Sequence, residues 1–211
     1  MILFLAIVIS FSVALSIANS RQKRAEEEIM NAYYEKERAA NNVRKKSLDG
    51  LDYIKVPLEF IPESLLPDNE EVSDLIRTLK ELSKSKILNL TGISNTDLKL
   101  EYGTANINVL SKYDENYTVY ARSMQRLSEI YFSEGYEANA RLLLEKAIET
   151  RTDITAAYAL LSDIYLRHGE YEKLRELLKT AKSLNDPAKR TCSKAVLSRI
   201  PESEMPGEDE E

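Results

Sequence analysis

The residues that could carry chemistry are few and scattered in this chain of 211 residues. His168 is the only histidine and Cys192 is the only cysteine. A hydrolytic triad needs a nucleophile, a histidine and a carboxylate together, and a zinc site needs several nitrogen or sulfur ligands. Neither residue belongs to such a motif, and no glycine-rich phosphate loop occurs. We therefore expect no catalysis, no cofactor and no metal.

Both residues have simpler structural roles. His168 precedes Gly169 at a helix-turn position, where we expect it to cap the last carbonyl groups of a helix. We expect Cys192 to be buried as a small apolar side chain. A single cysteine excludes a disulfide framework within the chain and favours a reducing compartment. The formal net charge of −6, with no basic run beyond the segment after the first apolar stretch, argues against a nucleic-acid partner.

The strongest pattern is an internal repeat between residues 124 and 181, in which residue types recur 34 positions later. In each copy, apolar residues spaced three and four apart form one helical face, a glycine ends that helix, and a second apolar stripe returns. The recurring pairs are Leu127 and Leu161, Ser128 and Ser162, Ile130 and Ile164, Tyr131 and Tyr165, Gly135 and Gly169, Arg141 and Arg175, Leu143 and Leu177, Leu144 and Leu178, and Ala147 and Ala181. The spacing predicts two like helical hairpins.

This pattern resembles the tetratricopeptide repeat (TPR) family. Met124 and Tyr158 take the position of the family's usual tryptophan, and Leu127-Ser128 and Leu161-Ser162 take that of its Leu-Gly pair. The other matches are Tyr131, Gly135, Ala140, Leu144 and Ala147 in the first unit and Tyr165, Gly169, Tyr171, Leu178 and Ala181 in the second. The departures are Leu174 at a small-residue position, Tyr136 one place early, and Thr152 and Asp186 in place of the closing proline. The resemblance implies an α-α superhelix that binds a protein or peptide.

In the TPR family, the first helix of each unit lines a concave groove. The resemblance implies that this groove is lined here by Arg122, Gln125, Arg126, Glu129, Phe132, Ala159, Asp163 and Leu166. Some family members hold a C-terminal carboxylate with basic residues at such positions, but Glu129 and Asp163 would oppose an anionic ligand. We therefore expect a helical or extended segment of a partner protein as the ligand. The alternative is an ordinary solvated helix face.

Residues 2–18 are apolar except for three serines. A helix of about 17 residues is about 26 Å long, near the lower limit for spanning a bilayer. Arg21, Lys23 and Arg24 follow it directly, so the positive-inside rule places the following chain in the cytoplasm. We expect residues 1–20 to be a single-pass anchor in the cell membrane. The alternative is a cleaved signal peptide, although such peptides carry their positive charge before the apolar run.

Two further segments connect the anchor to the repeats. Residues 21–48 lack glycine and proline, which predicts a juxtamembrane helix to about Lys46. A coiled-coil spacing within it would allow self-association, but too few heptads are present to favour this over a solvated helix. Residues 49–71 contain three prolines and are too apolar for a free linker. We expect them to form an extended strap across the helical domain or, alternatively, to fill its groove. The coiled-coil positions are Ile29, Tyr33, Ala40 and Val43.

The rest of the chain is predicted to be helical. Residues 72–114 predict a degenerate helical hairpin whose second helix runs from Asp97 to about Tyr113. Residues 115–200 contain the two TPR-like units and a capping helix from Pro187, with Asp153 and Asp186 as helix N-caps. Residues 201–211 predict a disordered acidic tail.

The fold prediction is therefore all-α: an N-terminal transmembrane helix followed by a TPR-like α-α superhelix of about three helical hairpins with a capping helix. The leading functional hypothesis is a membrane-anchored scaffold or adaptor that faces the cytoplasm. One alternative is a structural subunit docked permanently in a membrane protein complex. Another is an exported binding module with a cleaved leader, in which the Asn-x-Thr sequons at Asn89 and Asn116 would matter.

Overall fold

The computed structural model describes residues 1–201, except for the side chains at 2–3 and 5–14. Every regular element in this part of the chain is a helix, so the all-α prediction is confirmed. Short 3-10 turns lie at Leu58–Phe60 and Thr104–Asn106. The helices are α1 (Ile2–Asn41), α2 (Glu70–Leu82), α3 (Asn95–Tyr102), α4 (Ile107–Ser133), α5 (Glu137–Glu149), α6 (Thr155–Arg167), α7 (Tyr171–Lys182) and α8 (Ala188–Leu197).

The predicted transmembrane span at residues 2–18 finds no support in the structure. Across the residues that are described, none of the helices combines the length and the apolar character that crossing a membrane requires. The backbone of residues 2–18 belongs to α1, while the side chains at 2–3 and 5–14 lie outside the described residues. The predicted disordered tail also lies outside them from residue 202 onward.

The chain divides into two compact units, of which the first comprises Met1–Ser47 and Ser94–Ile107. Here α3 packs against the end of α1. The Glu37 carboxylate accepts hydrogen bonds from the Thr96 hydroxyl and, at 3.2 Å, from Lys99 Nζ. These bonds hold the pKa of Glu37 below its usual range, and the bond from Thr96 has the largest effect. Ala40 is completely buried, whereas Ile29 and Tyr33 of the same predicted coiled-coil spacing are exposed.

The two helix ends in this unit differ from the prediction. The helix expected over 97–113 stops at Tyr102, because Gly103 adopts a left-handed φ of +87°. A Cβ atom at Gly103 would lie 2.3 Å from the carbonyl oxygen of Arg44, so this turn requires glycine. The preceding helix, expected to reach about Lys46, ends at Asn41, and the amide of Lys46 donates to the carbonyl of Tyr102 at 3.0 Å.

The second unit comprises Leu48–Ile93 and Asn108–Glu211, and one of its two core clusters joins α2, α4 and α5. The segment 49–71, here called the strap, buries Val56 and Ile61 in this cluster. The amide of Ile54 donates to the carbonyl of Ile87 at 3.0 Å. Other apolar strap residues pack against the same cluster, so the strap belongs to the folded core. They are Ile54, Leu58, Phe60, Leu65 and Leu66.

The helix that packs beside α4 is α2. The hairpin predicted within residues 72–114 is not present as such, because residues 107–133 form one continuous helix. In the first turn of α2, Glu71 forms an ion pair with Arg126 in the second half of α4. Beyond its other end, the amide of Leu88 donates to the carbonyl of Tyr113 at 3.2 Å. These contacts place α2 antiparallel to α4.

The second core cluster joins α6, α7 and α8 to the end of α5. Cys192, Val196 and Ile200 are buried in it, as the predicted capping helix requires. The predicted N-caps are wrong: Ile154 caps α6 and Pro187 caps α8, both without a side-chain hydrogen bond.

The sequence repeat is also a repeat of structure. Leu127 and Leu161 are both buried at the centres of their hairpins. Ser128 Oγ donates to the carbonyl of Met124 at 2.7 Å, and Ser162 Oγ makes the same bond to Tyr158 at 2.7 Å. These two pairs of residues, 34 positions apart in the sequence, are therefore equivalent in burial or in hydrogen bonding.

The glycines of the repeat show the same equivalence. Gly135 follows α4 with a φ of +83°, and Gly169 follows α6 with a φ of +67°. In both turns, the backbone amide that follows the glycine donates to the backbone carbonyl of the tyrosine four residues before the glycine. These bonds run from Tyr136 to Tyr131 at 2.8 Å and from Glu170 to Tyr165 at 2.9 Å. The pairs α4–α5 and α6–α7 are two copies of one hairpin.

Candidate functional site

The eight predicted groove residues lie on α4 and α6, and this surface is called here the α4–α6 face. The members on α4 are Arg122, Gln125, Arg126, Glu129 and Phe132, and those on α6 are Ala159, Asp163 and Leu166. Arg122 and Arg126 are exposed, Gln125 is buried, and the other five are partly buried.

On α4, most of the charged side chains of this face already form ion pairs within the second unit. Arg126 forms a bidentate ion pair with the Glu71 carboxylate, in which Nε and Nη2 of Arg126 lie 2.6 Å and 3.0 Å from the two carboxylate oxygens. The hydrogen bond from Arg126 holds the pKa of Glu71 below its usual range. Arg126 Nη1 also reaches Glu129 at 3.3 Å. Arg126 thus tethers α2 to α4 instead of pointing freely at a partner.

Gln125 and Phe132 lie deeper in the structure. Gln125 Nε2 donates to Glu129 Oε1 at 3.1 Å, whereas Gln125 Oε1 is buried without a hydrogen-bond partner in the described chain. Phe132 packs against both core clusters, with the guanidinium of Arg167 5.0 Å from its ring centre. Phe132 therefore joins the two hairpins as well as lining the face.

On α6, Asp163 is bound by Arg199 beyond the end of α8, with nitrogen–oxygen distances of 2.6 and 3.1 Å. Leu166 packs against the second core cluster. Of the charged candidates, Arg122 alone is both exposed and without an ion-pair partner among the residues that the structure describes. The face therefore offers one cation and partly buried apolar side chains to a ligand.

A cleft lies elsewhere in the same unit. It has a volume of about 850 Å³, and five stretches of the chain line it: the strap, the loop after α2, Tyr120 of α4, the end of α5 and the α7–α8 loop. Its charged lining residues are Asp52, Lys55, Lys146, Glu149, Arg151, Asp153 and Asp186. Its volume is within the range of small-molecule and peptide sites.

Side chains hold the cleft walls by bonds to backbone carbonyl groups. Asn89 Nδ2 donates to Thr150 at 2.9 Å, and Arg151 Nη2 donates to Ser183 at 2.5 Å. Asn185 Nδ2 donates to Thr91 at 3.3 Å. These bonds join stretches of the second unit that are distant in sequence.

The two sequons lie near these loops, and their amide nitrogens are both engaged. Asn89 Nδ2 bonds the carbonyl of Thr150, and Asn116 Nδ2 bonds the carbonyl of Lys86 at 2.9 Å. A glycan would be attached at the same nitrogen atoms.

The two residues that could carry chemistry, His168 and Cys192, do not form a common site. His168 is the C-cap of α6, where its backbone amide donates to the carbonyl groups of Ile164 and Leu166, as predicted. Its ring contacts a side chain on α5, since His168 Nε2 lies 2.5 Å from Glu137 Oε1. Burial raises the pKa of the Cys192 thiol, which makes it a poor nucleophile. Within the described residues, no group of three or more His, Cys, Asp or Glu side chains could hold a metal ion.

Sequence reasoning missed the cleft. Its floor contains Tyr120, for which the sequence predicts no role, and its wall contains Asp153, for which it predicts a cap on α6. The left-handed backbone of Arg151, with a φ of +59°, has no signal in the sequence, because arginine rarely adopts it.

Comparisons with known proteins add no identification, since no family model, curated protein or solved structure matches the chain. The resemblance to the TPR family therefore rests on the repeat residues alone.

Proposed function

We propose that this protein is a non-catalytic scaffold or adaptor, which binds a segment of a partner protein on its α4–α6 face. The observation that supports it most is the duplicated hairpin, with equivalent bonds at Ser128 and Ser162 and equivalent turns at Gly135 and Gly169. Stacked hairpins of this kind present extended surfaces built from successive first helices. The TPR resemblance is part of this proposal and points to the same face.

The exposed groups on the face define the chemistry of the proposed ligand. Arg122 would meet an acidic group of the partner, and Phe132 and Leu166 would meet its apolar side chains. Arg126 and Asp163 are already held by Glu71 and Arg199, so they would shape the face rather than bind. A helical or extended segment with one acidic and two apolar side chains fits this arrangement.

Membrane attachment is the second part of the proposal. It is supported by the sequence of residues 2–18, which is apolar, and by the basic residues that follow at Arg21, Lys23 and Arg24. In this proposal, the second unit acts at the cytoplasmic surface of the cell membrane.

A permanent structural subunit is the second candidate, and one observation favours it. Ile29, Met30, Tyr33 and Tyr34 of α1 are between 50% and 71% exposed and lie within two turns of one helix. Contiguous apolar side chains of this size mark a surface that another protein covers.

Site-specific photocrosslinking in native membranes tests both candidates. A crosslinker at Arg122 should capture a defined partner, and one at Lys84, an exposed residue of the second unit outside the face, should not. Changing Arg122→Glu should weaken binding of that purified partner about fivefold, as expected for about 1 kcal/mol of charge interaction. Equal capture at both positions would contradict the adaptor proposal. Capture at Tyr33 alone would favour the structural subunit.

A further inference from the structure

The last two helices carry an excess of positive charge, although the whole chain has a formal net charge of −6. Residues 171–200, from the start of α7 to just beyond α8, contain eight lysines or arginines and three glutamates or aspartates. Positive charges in this segment therefore exceed negative charges by five. The basic residues are Lys173, Arg175, Lys179, Lys182, Lys189, Arg190, Lys194 and Arg199.

On α7, two of the lysines lie on the side of the helix that faces away from α5. Lys173 and Glu176 line a groove that α7 shares with α5. Lys179 and Lys182 are three residues apart and therefore share one face of α7, and the helical period places that face on a different side from Lys173 and Glu176. The α5 helix therefore does not cover Lys179 and Lys182.

On α8, the side toward α6 is marked by two contacts. Thr191 bonds the Thr155 hydroxyl at 3.1 Å, and Arg199 binds Asp163 at 2.6 Å. Arg190 and Lys194 are four residues apart and share a different side of α8. Because α8 packs directly against α7, the basic residues of the two helices form one surface. This surface is called here the α7–α8 ridge, and its residues are Lys179, Lys182, Lys189, Arg190 and Lys194.

Much of the charge on the ridge is not neutralised by nearby carboxylates. Asp186 lies 3.4 Å from Arg190, which is the ion pair shown for the ridge. Lys179, Lys189 and Lys194 are exposed, and each is without an ion-pair partner in the part of the chain that the structure describes. A concentration of like charge on one surface attracts groups of the opposite sign.

The chain itself supplies such groups directly after the ridge. Residues 202–211, which lie outside the described residues, contain six glutamates or aspartates and no lysine or arginine. They follow Ile200, which is buried in the second core cluster together with Cys192 and Val196 of α8. Ten residues of chain can span up to about 33 Å, whereas the ten residues of α8 rise only about 15 Å. The acidic segment is therefore long enough to reach both ends of α8.

Two properties favour this segment over a separate anionic partner. Its charge is opposite to that of the ridge and of similar size. It is also joined covalently to α8, so its effective concentration at the ridge is in the millimolar range, whatever the protein concentration. The sequence of the segment alone predicts a solvated tail, and the basic surface beside it argues for contact instead.

We propose that residues 202–211 bind the α7–α8 ridge of the same chain through their carboxylates and cover it against other anions. An anionic partner would then reach the ridge only by displacing this segment, which makes the segment an autoinhibitory element. The ridge is separate from the eight residues of the α4–α6 face, so this inference does not depend on ligand binding there.

Zero-length crosslinking of the full chain in detergent micelles tests the contact directly. A carbodiimide joins a carboxylate to a lysine amine that touches it, and mass spectrometry identifies the linked peptides. We expect residues 202–211 to be linked to Lys179, Lys189 or Lys194 and not to Lys55, an exposed lysine of the strap. In a mixture of ¹⁴N and ¹⁵N protein, every link should join peptides of one isotope. Mixed pairs would show that a second copy supplies the segment and would overturn the proposal, as would the absence of links to the ridge.

Binding of fluorescent heparin, a polyanion, measures whether the segment covers the ridge. At low salt, neutralising four carboxylates of the segment should raise the affinity for heparin about tenfold, because the ridge becomes accessible. High salt should remove the difference by screening. The substitutions are Glu208→Gln, Asp209→Asn, Glu210→Gln and Glu211→Gln.

Two further variants separate covering of the ridge from a general change in net charge. Adding Lys179→Gln, Lys189→Gln and Lys194→Gln to the neutralised variant should abolish the gain in affinity. A control removes the same number of exposed carboxylates elsewhere and should raise the affinity less than about twofold. An equal gain in this control, or a gain that survives loss of the three lysines, would overturn the proposal. The control substitutions are Glu59→Gln, Asp68→Asn, Glu70→Gln and Glu134→Gln.

Discussion

At the scale of single residues, two glycines have similar positive φ values and differ in their surroundings. Gly103 and Gly135 have φ values of +87° and +83°. A Cβ atom at Gly103 would lie 2.3 Å from Arg44 O, whereas at Gly135 it would meet nothing within 4 Å. Substitution at Gly135 therefore adds only conformational strain, and substitution at Gly103 adds a collision between two backbone segments.

We expect Gly135→Ala to lower the free energy of unfolding by about 1 kcal/mol, because alanine must adopt a left-handed φ. Gly103→Ala should lower the free energy of unfolding by clearly more than this, because the backbone at Arg44 has to move. It should also cause local unfolding of α3. Urea denaturation measures the first effect, and hydrogen exchange of the α3 amides measures the second. Similar losses for the two variants would show that the close approach at Gly103 does not matter.

At the scale of helices, an ion pair joins the two hairpins. Arg141 of α5 binds the carboxylate of Glu170, the residue before α7, with nitrogen–oxygen distances of 2.6 and 2.8 Å. Lys173 Nζ adds a contact at 2.9 Å. The hydrogen bond from Arg141, followed by that from Lys173, lowers the pKa of Glu170 to about 2. Both side chains of the Arg141–Glu170 pair are about one quarter exposed, so solvent weakens their interaction.

This pair predicts a sensitivity to acid. Because the pKa of Glu170 is lower in the folded chain than its ordinary 4.5, the stabilisation is present above pH 4.5 and is lost as pH falls toward 2. We expect Glu170→Gln to destabilise the protein by about 1 kcal/mol at pH 7 and much less at pH 2. Thermal unfolding across this range measures the difference, with Glu176→Gln at an exposed position of α7 as a nearby control. An effect that does not change with pH would mean that the carboxylate charge is not responsible.

The helices also show which local signals were sufficient. Asn69 and Ser94 cap α2 and α3 through side-chain bonds to Val72 and Asp97, and both starts were close to the predicted positions. The end of α3 was missed because it depends on a backbone contact between Gly103 and a distant segment. The caps of α2 and α3 are local signals, whereas the caps predicted at Asp153 and Asp186 were wrong and the contact at Gly103 has no local signal.

At the scale of the whole molecule, the sequence predicted more of the fold than of the site. The 34-residue spacing placed Leu127 and Leu161 in equivalent buried positions because a repeated pattern constrains many residues together. It also predicted binding residues on α4 and α6, which stay a prediction. It could not show that Arg126 is held by Glu71, since these residues are 55 positions apart. The cleft was unpredictable for the same reason, because five separate segments form it.

The engaged amide nitrogens of Asn89 and Asn116 bear on a test of the proposed membrane attachment. N-glycosylation modifies the side-chain amide nitrogen, and both nitrogens donate to backbone carbonyls in the folded chain. If the proposed anchor holds the chain in a membrane, we expect neither sequon of the folded chain to accept a sugar in mammalian microsomes, whichever side the second unit faces. A new acceptor sequence at exposed Ser85 would report the side, read as a gel shift that an endoglycosidase reverses. A shift from the natural sequons would show that these loops stay open long enough during synthesis for the enzyme to reach them.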